Sequence, residues 1–196
     1  MKTDVKKPAK RRLSRDVVAN AGLELVKRDG FDHLTMKALA VQLGVTPMAI
    51  YRHVSNKSDL IDVVLDAFVR DANVCSHDSP EAEWDAWLRA TYTNMYEALK
   101  NMTSLHPYLG NAPRFGPHAM DVMAKILSVL RAAGFTQQQS VNAMSTLTGF
   151  MIGCAMMDSV FHQALLNANQ NNKTYSSLDV GLDHIFVSLK AELSWD

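Results

Sequence analysis

The stretch from Thr35 to Leu60, TMKALAVQLGVTPMAIYRHVSNKSDL, constrains the fold more than any other part of the chain. Thr35 is a helix-capping type of residue, and Leu39, Ala40 and Leu43 follow it at helical spacing, which predicts a short helix ending at Leu43. Gly44 supplies the left-handed turn conformation that other residues resist. Thr46 and Pro47 then read as an N-cap and a first-position proline, opening another short helix that reaches about His53. Before this pair, Ser14 caps a helix that runs to about Asp29, with a stripe of Val17, Val18, Ala21, Leu25 and Val26 and a stop at Gly30. After it, Ser58 is read as the cap of a fourth helix. Asp59 and Asp62 suit the positive end of that helix, and Ile61, Val64, Leu65 and Phe68 form its inner face.

The rest of the chain is also helical in pattern. Ser76 to Ser79 reads as a loop, and Ser79, Pro80 and Glu81 start a helix carrying Trp84, Trp87, Leu88, Met95 and Leu99 to about Met102. Between Ser104 and Pro117 there are three prolines and two glycines, so at most a short, imperfect helix fits. Gly116 and Pro117 begin a further helix that stops at Gly134. Thr136 and Gln139 form a T-x-x-Q capping box, after which about 30 residues run without a breaker to Leu166, roughly 45 Å of helix. Asn167 to Ser177 is a polar, Asn-rich loop, and Ser177 is read as the cap of a last helix with Leu178, Leu182, Ile185, Phe186, Leu189 and Leu193 at helical period. No segment alternates at period two, so the fold is all-α. The division read from these patterns is a flexible basic arm over residues 1–13, a helix-turn-helix domain with its connecting helix over 14–75, and a helical domain over 76–196.

The formal net charge of zero hides an asymmetry. Residues 1–57 carry 12 Lys or Arg against 5 Asp or Glu, hence +7, and residues 58–196 carry 8 against 15, hence −7. A basic first third beside an acidic remainder points to a polyanionic partner for the first part alone. Cys75 and Cys154 have no spaced partners, so neither a disulfide framework nor a thiolate metal site is readable. No signal-peptide pattern and no run near 20 apolar residues stands out, which sets the expectation of a cytoplasmic protein without a membrane partner. His106, His118, His162 and His184 lack metal-ligand spacing, and no nucleophile elbow, phosphate loop or dinucleotide fingerprint is present. No metal, no cofactor and no catalytic residue is therefore expected. Asp158 and His162, four apart on one helix, are read as a surface or interface hydrogen bond.

Two short helices joined in this way present the second to the DNA major groove while the first braces it. Ile50 and Val54, with Val45 nearby, are the buried side, which leaves Met48, Ala49 and Arg52 facing outward. Arg52 can meet guanine O6 and N7 with two hydrogen bonds, and Ala49 and Met48 suit a thymine methyl. Thr46, Tyr51, His53 and Lys57 lie at the rim, within reach of phosphates.

The pattern formed by Thr35, Leu39, Ala40, Leu43, Gly44, Val45, Ile50, Tyr51, His53, Val54, Asn56, Lys57 and Leu60 closely resembles the TetR family of bacterial repressors, as do Ala21, Leu25, Gly30 and Phe31 upstream. The resemblance covers about residues 14–65. It implies a DNA-facing set of Lys37, Thr46, Pro47, Met48, Ala49, Tyr51, Arg52, His53 and Lys57. It further implies a homodimer on palindromic double-stranded operator DNA, associated with the nucleoid and released by a small effector held in the C-terminal half.

Beyond residue 76 the resemblance is one of architecture only. There Trp84, Trp87, Tyr92, Met95, Tyr96, Met102, Met120, Met123, Phe150 and Met157 are the candidates for an adaptable pocket taking an apolar or aromatic effector. In the family the last two long helices pair across the dimer, so Gly149, Gly153, Leu182, Phe186 and Leu189 are the candidate interface. Ser145, Gly149 and Gly153, spaced by four, thin one face of the long helix and serve either close helix approach or ligand room. Two alternatives stay open: an activator or ligand-independent DNA binder using the same helices, and an all-helical enzyme or ligand carrier.

Overall fold

The computed structural model describes residues 12–75, 83–109, 115–167 and 177–194; residues 1–11 of the expected basic arm, the expected helix start at residues 79–82 and residues 168–176 of the expected polar loop lie outside them. The helices are α1 (Arg15–Asp29), α2 (Met36–Leu43), α3 (Pro47–Tyr51), α4 (Lys57–Ala72), α5 (Trp84–Lys100), α6 (His106–Leu109), α7 (Pro117–Ala132), α8 (Gln137–Asn167) and α9 (Ser177–Leu193), and no strand occurs among the described residues. The chain divides into two units, residues 1–64 and 65–196, with the division inside α4. The reason is chemical. From Leu65 onward α4 belongs to the second unit, where Asp66 is held by the start of α7.

In the first unit local devices set each direction change. The Ser14 hydroxyl accepts from the Val17 amide at 3.2 Å, and Thr35 Oγ1 accepts from the Ala38 amide at 3.1 Å. Gly44 ends α2 at φ 64°, and the Val45 amide bonds back to the Ala40 carbonyl at 3.0 Å. Thr46 precedes α3 with an extended backbone but makes no side-chain cap, leaving Pro47 to set the first turn. Behind these turns Val18, Leu25, Phe31, Leu34, Leu39, Ile50, Val54, Leu60 and Val64 form the core. A Cβ on Gly22 would fall 2.5 Å from Val64 Cγ2, so α1 presents bare backbone to α4.

Two expectations for α4 are corrected. Its cap is Asn56, whose Oδ1 accepts from the Asp59 amide at 2.9 Å; the helix is already under way at Lys57, and Ser58 sits in its first turn. Its buried face is Leu60, Val64 and Ala67, while Ile61, Leu65 and Phe68 are half-buried beside it.

In the second unit α5, α7, α8 and α9 pack on one another around long buried side chains. Trp87, Leu88, Tyr92, Tyr96 and Leu99 of α5 share this core with Ala143, Met144, Leu147, Met151 and Ala155 of α8. The Tyr92 hydroxyl lies 3.2 Å from the Met144 carbonyl, to which it donates, and 3.1 Å from Thr148 Oγ1. Burial pushes the Tyr92 phenol up to about 12, which keeps it a neutral donor. The capping box opens α8 as expected: the Thr136 amide donates to Gln139 Oε1 at 2.8 Å, and the Gln139 amide donates to Thr136 Oγ1 at 3.3 Å. Ser177 does not cap α9. It is the first residue of the helix, and its hydroxyl donates to Asp158 at 3.0 Å. A Cβ on Gly181 would overlap the Phe150 ring, so α9 approaches α8 through a bare backbone position. One further reading is revised: Gln137–Asp158 is long and apolar enough to cross a bilayer by length and composition. Asn142, Ser145, Thr146 and Thr148 interrupt it, and Ala143, Met144, Leu147 and Met151 on its apolar side are buried within the unit.

Candidate nucleic-acid interface

The candidate surface is built on α3, a helix of five residues that is too short to be stable alone. It is held from within: Ile50 has no exposed surface, and Val54, in the turn that follows, is buried beside it. The same packing turns the opposite side to solvent. Met48 is 71 % exposed, Tyr51 is 48 % exposed, and Arg52 is exposed at the C-cap. Thr46 and Pro47 at the start of α3, Lys37 in the first turn of α2 and Lys57 at the start of α4 are also exposed, and Ala49 and His53 are half-buried. All nine predicted DNA-facing residues therefore reach the surface of one unit. Their chemistry is mixed: α3 presents a guanidinium and apolar groups, types that can meet base edges, and around it stand hydroxyl, imidazole and ammonium groups, types that can meet phosphates.

One residue of this surface escaped the sequence reading. Arg15 Nη1 donates to the His53 carbonyl at 2.6 Å, and Arg15 Nη2 donates to Asp59 Oδ1 at 2.5 Å. Asp59 Oδ2 in turn accepts from the Ser55 amide at 2.7 Å. The guanidinium beside it, helped by that amide, holds the Asp59 carboxyl below its ordinary value despite partial burial. A separation of 44 residues between Arg15 and Asp59 leaves no spacing signal to read.

In the second unit the predicted pocket residues have different surroundings. Trp87, Tyr92, Tyr96 and Met102 are packed core, Met120 and Met157 face solvent, and Trp84 packs edge-on against Phe135 at 5.2 Å. A surface cavity of about 400 Å³ lies between α4 and α7, lined by Val69, Asn73, His118, Val122 and Lys125 among others, and none of the ten predicted residues lines it. Asp158 is bonded to Tyr96 and Ser177, while the His162 side chain proposed as its partner lies outside the described residues.

The predicted dimer residues separate into two groups. Leu182, Phe186 and Leu189 are buried inside the unit, with the Phe186 ring tilted against Trp84 and beneath the Arg89 guanidinium. Gly149 and Gly153 are different: a Cβ at either meets no atom within 4 Å.

A capped helix, a left-handed glycine turn and a second short helix with its polar and basic side exposed define a helix-turn-helix protein. Residues 19–64 match the family described as bacterial regulatory proteins, tetR family, and residues 77–179 match the tetracyclin repressor-like C-terminal domain. The chain belongs to the TetR family. It is 31 % identical over 147 residues to the HTH-type transcriptional repressor DrrR1 of Streptomyces coeruleorubidus, a match that takes in 73 % of this chain and 53 % of that protein. The chain thus spans about half the length of that curated relative. Among solved structures it resembles the Streptomyces coelicolor TetR family protein ActR in complex with actinorhodin (TM-score 0.76, 20 % identity, covering 93 % of this chain and 99 % of ActR). It also resembles BioQ with its double-stranded DNA operator (TM-score 0.70, 22 % identity, covering 92 % and 99 %). At these identities the likeness is one of fold.

Proposed function

We propose that this protein is a cytoplasmic transcriptional repressor that binds a palindromic operator as a homodimer and is released by a small apolar or aromatic effector. The observation that carries this reading is the division of α3 into a fully buried Ile50 side and an exposed Met48, Tyr51 and Arg52 side, held by the Gly44 turn. The relatives point the same way: DrrR1 is named a repressor, BioQ is described with a DNA operator, and ActR with a bound small molecule. That agreement favours a DNA-binding regulator over an enzyme or carrier.

The second copy meets the open side of the last two long helices, not their buried side. On α8 that side carries Gly149, Gly153, Met156 and Val160, and on α9 it carries Val180 and Val187. The contrast within α9 is sharp, since Phe186 is 4 % exposed and its neighbour Val187 is 69 % exposed. α4 runs unbroken from Lys57 to Ala72 across the division of the two units, so it is the element through which an effector acts on DNA binding. A dimer reading successive major grooves protects two half-sites about 10 base pairs apart, centre to centre. Footprinting of the DNA upstream of the protein's own gene tests this. Two symmetric protected patches at that spacing support the reading, and a single patch or uniform protection contradicts it.

A further inference from the structure

The C-terminal end of α3 needs an external tie. Base recognition requires that Arg52 be placed to within about 0.5 Å, and a five-residue helix cannot hold its own direction to that tolerance. Its N-terminal end is set by Gly44 and Pro47. Its C-terminal end runs into a turn over Arg52 and His53, closed by the His53 and Val54 amides bonding to the Ile50 carbonyl at 2.8 and 3.1 Å. Arg15 reaches this turn from the first turn of α1. Its Nη1 holds the His53 carbonyl, and both its terminal nitrogens face the Asp59 carboxylate, at 2.5 and 3.4 Å. Asp59 holds the Ser55 amide with the oxygen that faces Nη1. One guanidinium thus joins the first turn of α1, the end of α3 and the first turn of α4.

We propose that Arg15 is a positioning residue for DNA recognition: it fixes the pose of Arg52 and His53 through the His53 carbonyl and Asp59, and it does not itself hold a phosphate. The inference rests on the DNA-binding reading above. A half-exposed arginine in a basic segment, at 51 % side-chain exposure, invites the opposite assignment. The geometry argues against it: three of the five guanidinium N–H donors already face the His53 carbonyl and the Asp59 carboxylate, and that carboxylate offsets the charge to which a phosphate would be drawn.

The two assignments predict opposite results for Asp59→Asn. If Arg15 positions α3, the ratio of operator to random-DNA affinity falls about tenfold, the loss of one charge-assisted tie. If Arg15 serves a phosphate, freeing it tightens binding to all DNA and leaves the ratio unchanged, which overturns the proposal. Arg15→Ala lowers the same ratio with an unchanged dependence on salt, whereas a lost phosphate contact lowers the salt slope by about one with the ratio intact. Arg15→Lys keeps the charge but cannot fork between carbonyl and carboxylate, so it also loses the ratio; full rescue by lysine sinks the idea and leaves only a charge effect. Amide hydrogen exchange needs no operator. In Arg15→Ala, or in Arg15→Lys if the alanine variant does not fold, the His53, Val54 and Ser55 amides exchange faster while that of Leu39 does not. Unchanged exchange at these three amides overturns the proposal even if native protein proves to have no operator preference, an outcome that by itself defeats the repressor reading.

Discussion

Residues 12–64 turn the chain sharply within short distances and rely on bonds that span three or four residues. Ser14 bonds to Val17, Thr35 to Ala38 and Asn56 to Asp59. The described residues from 65 onward rely on the burial of broad faces and on side chains that bond across the sequence, as Tyr92 does to Met144, 52 residues away, and Arg89 to Asp183, 94 residues away. A recognition surface must keep its shape while it meets DNA, and caps and glycine turns dictate backbone direction without help from distant elements. An effector domain has the opposite need, and side-chain contacts between long helices can be rearranged without breaking a helix. The difference in construction follows the proposed difference in work.

The comparison can be tested by removing one device of each kind. The largest effect is expected from Leu147→Ala, which empties a fully buried position in α8 and costs about 2–5 kcal/mol in urea unfolding. Next comes Asp66, 9 % exposed, whose Oδ1 accepts from the His118 and Ala119 amides at 3.0 and 3.1 Å and whose Oδ2 lies 2.7 Å from His118 Nδ1. Its carboxylate occupies the place where a Cβ on Gly116 would sit, so the start of α7 approaches it through a bare backbone position. Asp66→Ala is predicted to cost about 3 kcal/mol, and Asp66→Asn less than half of that, since an amide oxygen still accepts from the two amides. Equal losses would mean that the His118 contact, not the helix start, is what Asp66 holds.

Smaller effects belong to the first unit. Thr35→Ala removes the cap of α2 and is predicted to cost about 1 kcal/mol, with Thr35→Ser restoring it. A larger loss would show that the short helices depend on one another more than their local signals indicate. The smallest effect concerns pH. Asp59 has its folded value lowered below 3.8, chiefly by the hydrogen bond from Arg15. Its contribution to stability is therefore complete above the unfolded value of about 4 and is lost as pH falls through the lowered folded value. Melting temperatures of native protein and Asp59→Asn, followed from pH 6 downward, are expected to converge below about pH 4. A gap that stays constant would show that the Arg15–Asp59 pair adds nothing to stability.

What could be read in the sequence follows the same division. Ser14, Thr35, Gly44 and the Thr136–Gln139 box were legible because cause and effect lie within one helical turn. The start of α4 was misplaced because Asn56 and Ser58 are both good caps two residues apart, and only the Asn56–Asp59 bond decides between them. The slip in its buried face, to Ile61 and Leu65 instead of Leu60 and Ala67, has a related origin: periodicity shows that a stripe exists but not the element it meets. The same ambiguity holds for Leu182, Phe186 and Leu189, whose spacing marks a stripe on α9 without saying what the stripe meets; within the unit all three are buried, and the Phe186 ring lies under Arg89 of α5. Arg15 left no trace at all, since its partners are set by the fold alone.

The central claim is that the exposed side of α3 reads DNA sequence while its surroundings hold the backbone. The direct test is to compare Arg52→Ala with Lys57→Ala on operator and on random DNA. Arg52→Ala is predicted to cost about 1–3 kcal/mol on the operator, to relax preference at one base pair and to leave random-DNA affinity little changed. Lys57→Ala is predicted to weaken both DNAs alike and to lower the salt slope by about one. Equal losses on operator and random DNA for Arg52→Ala would contradict the account.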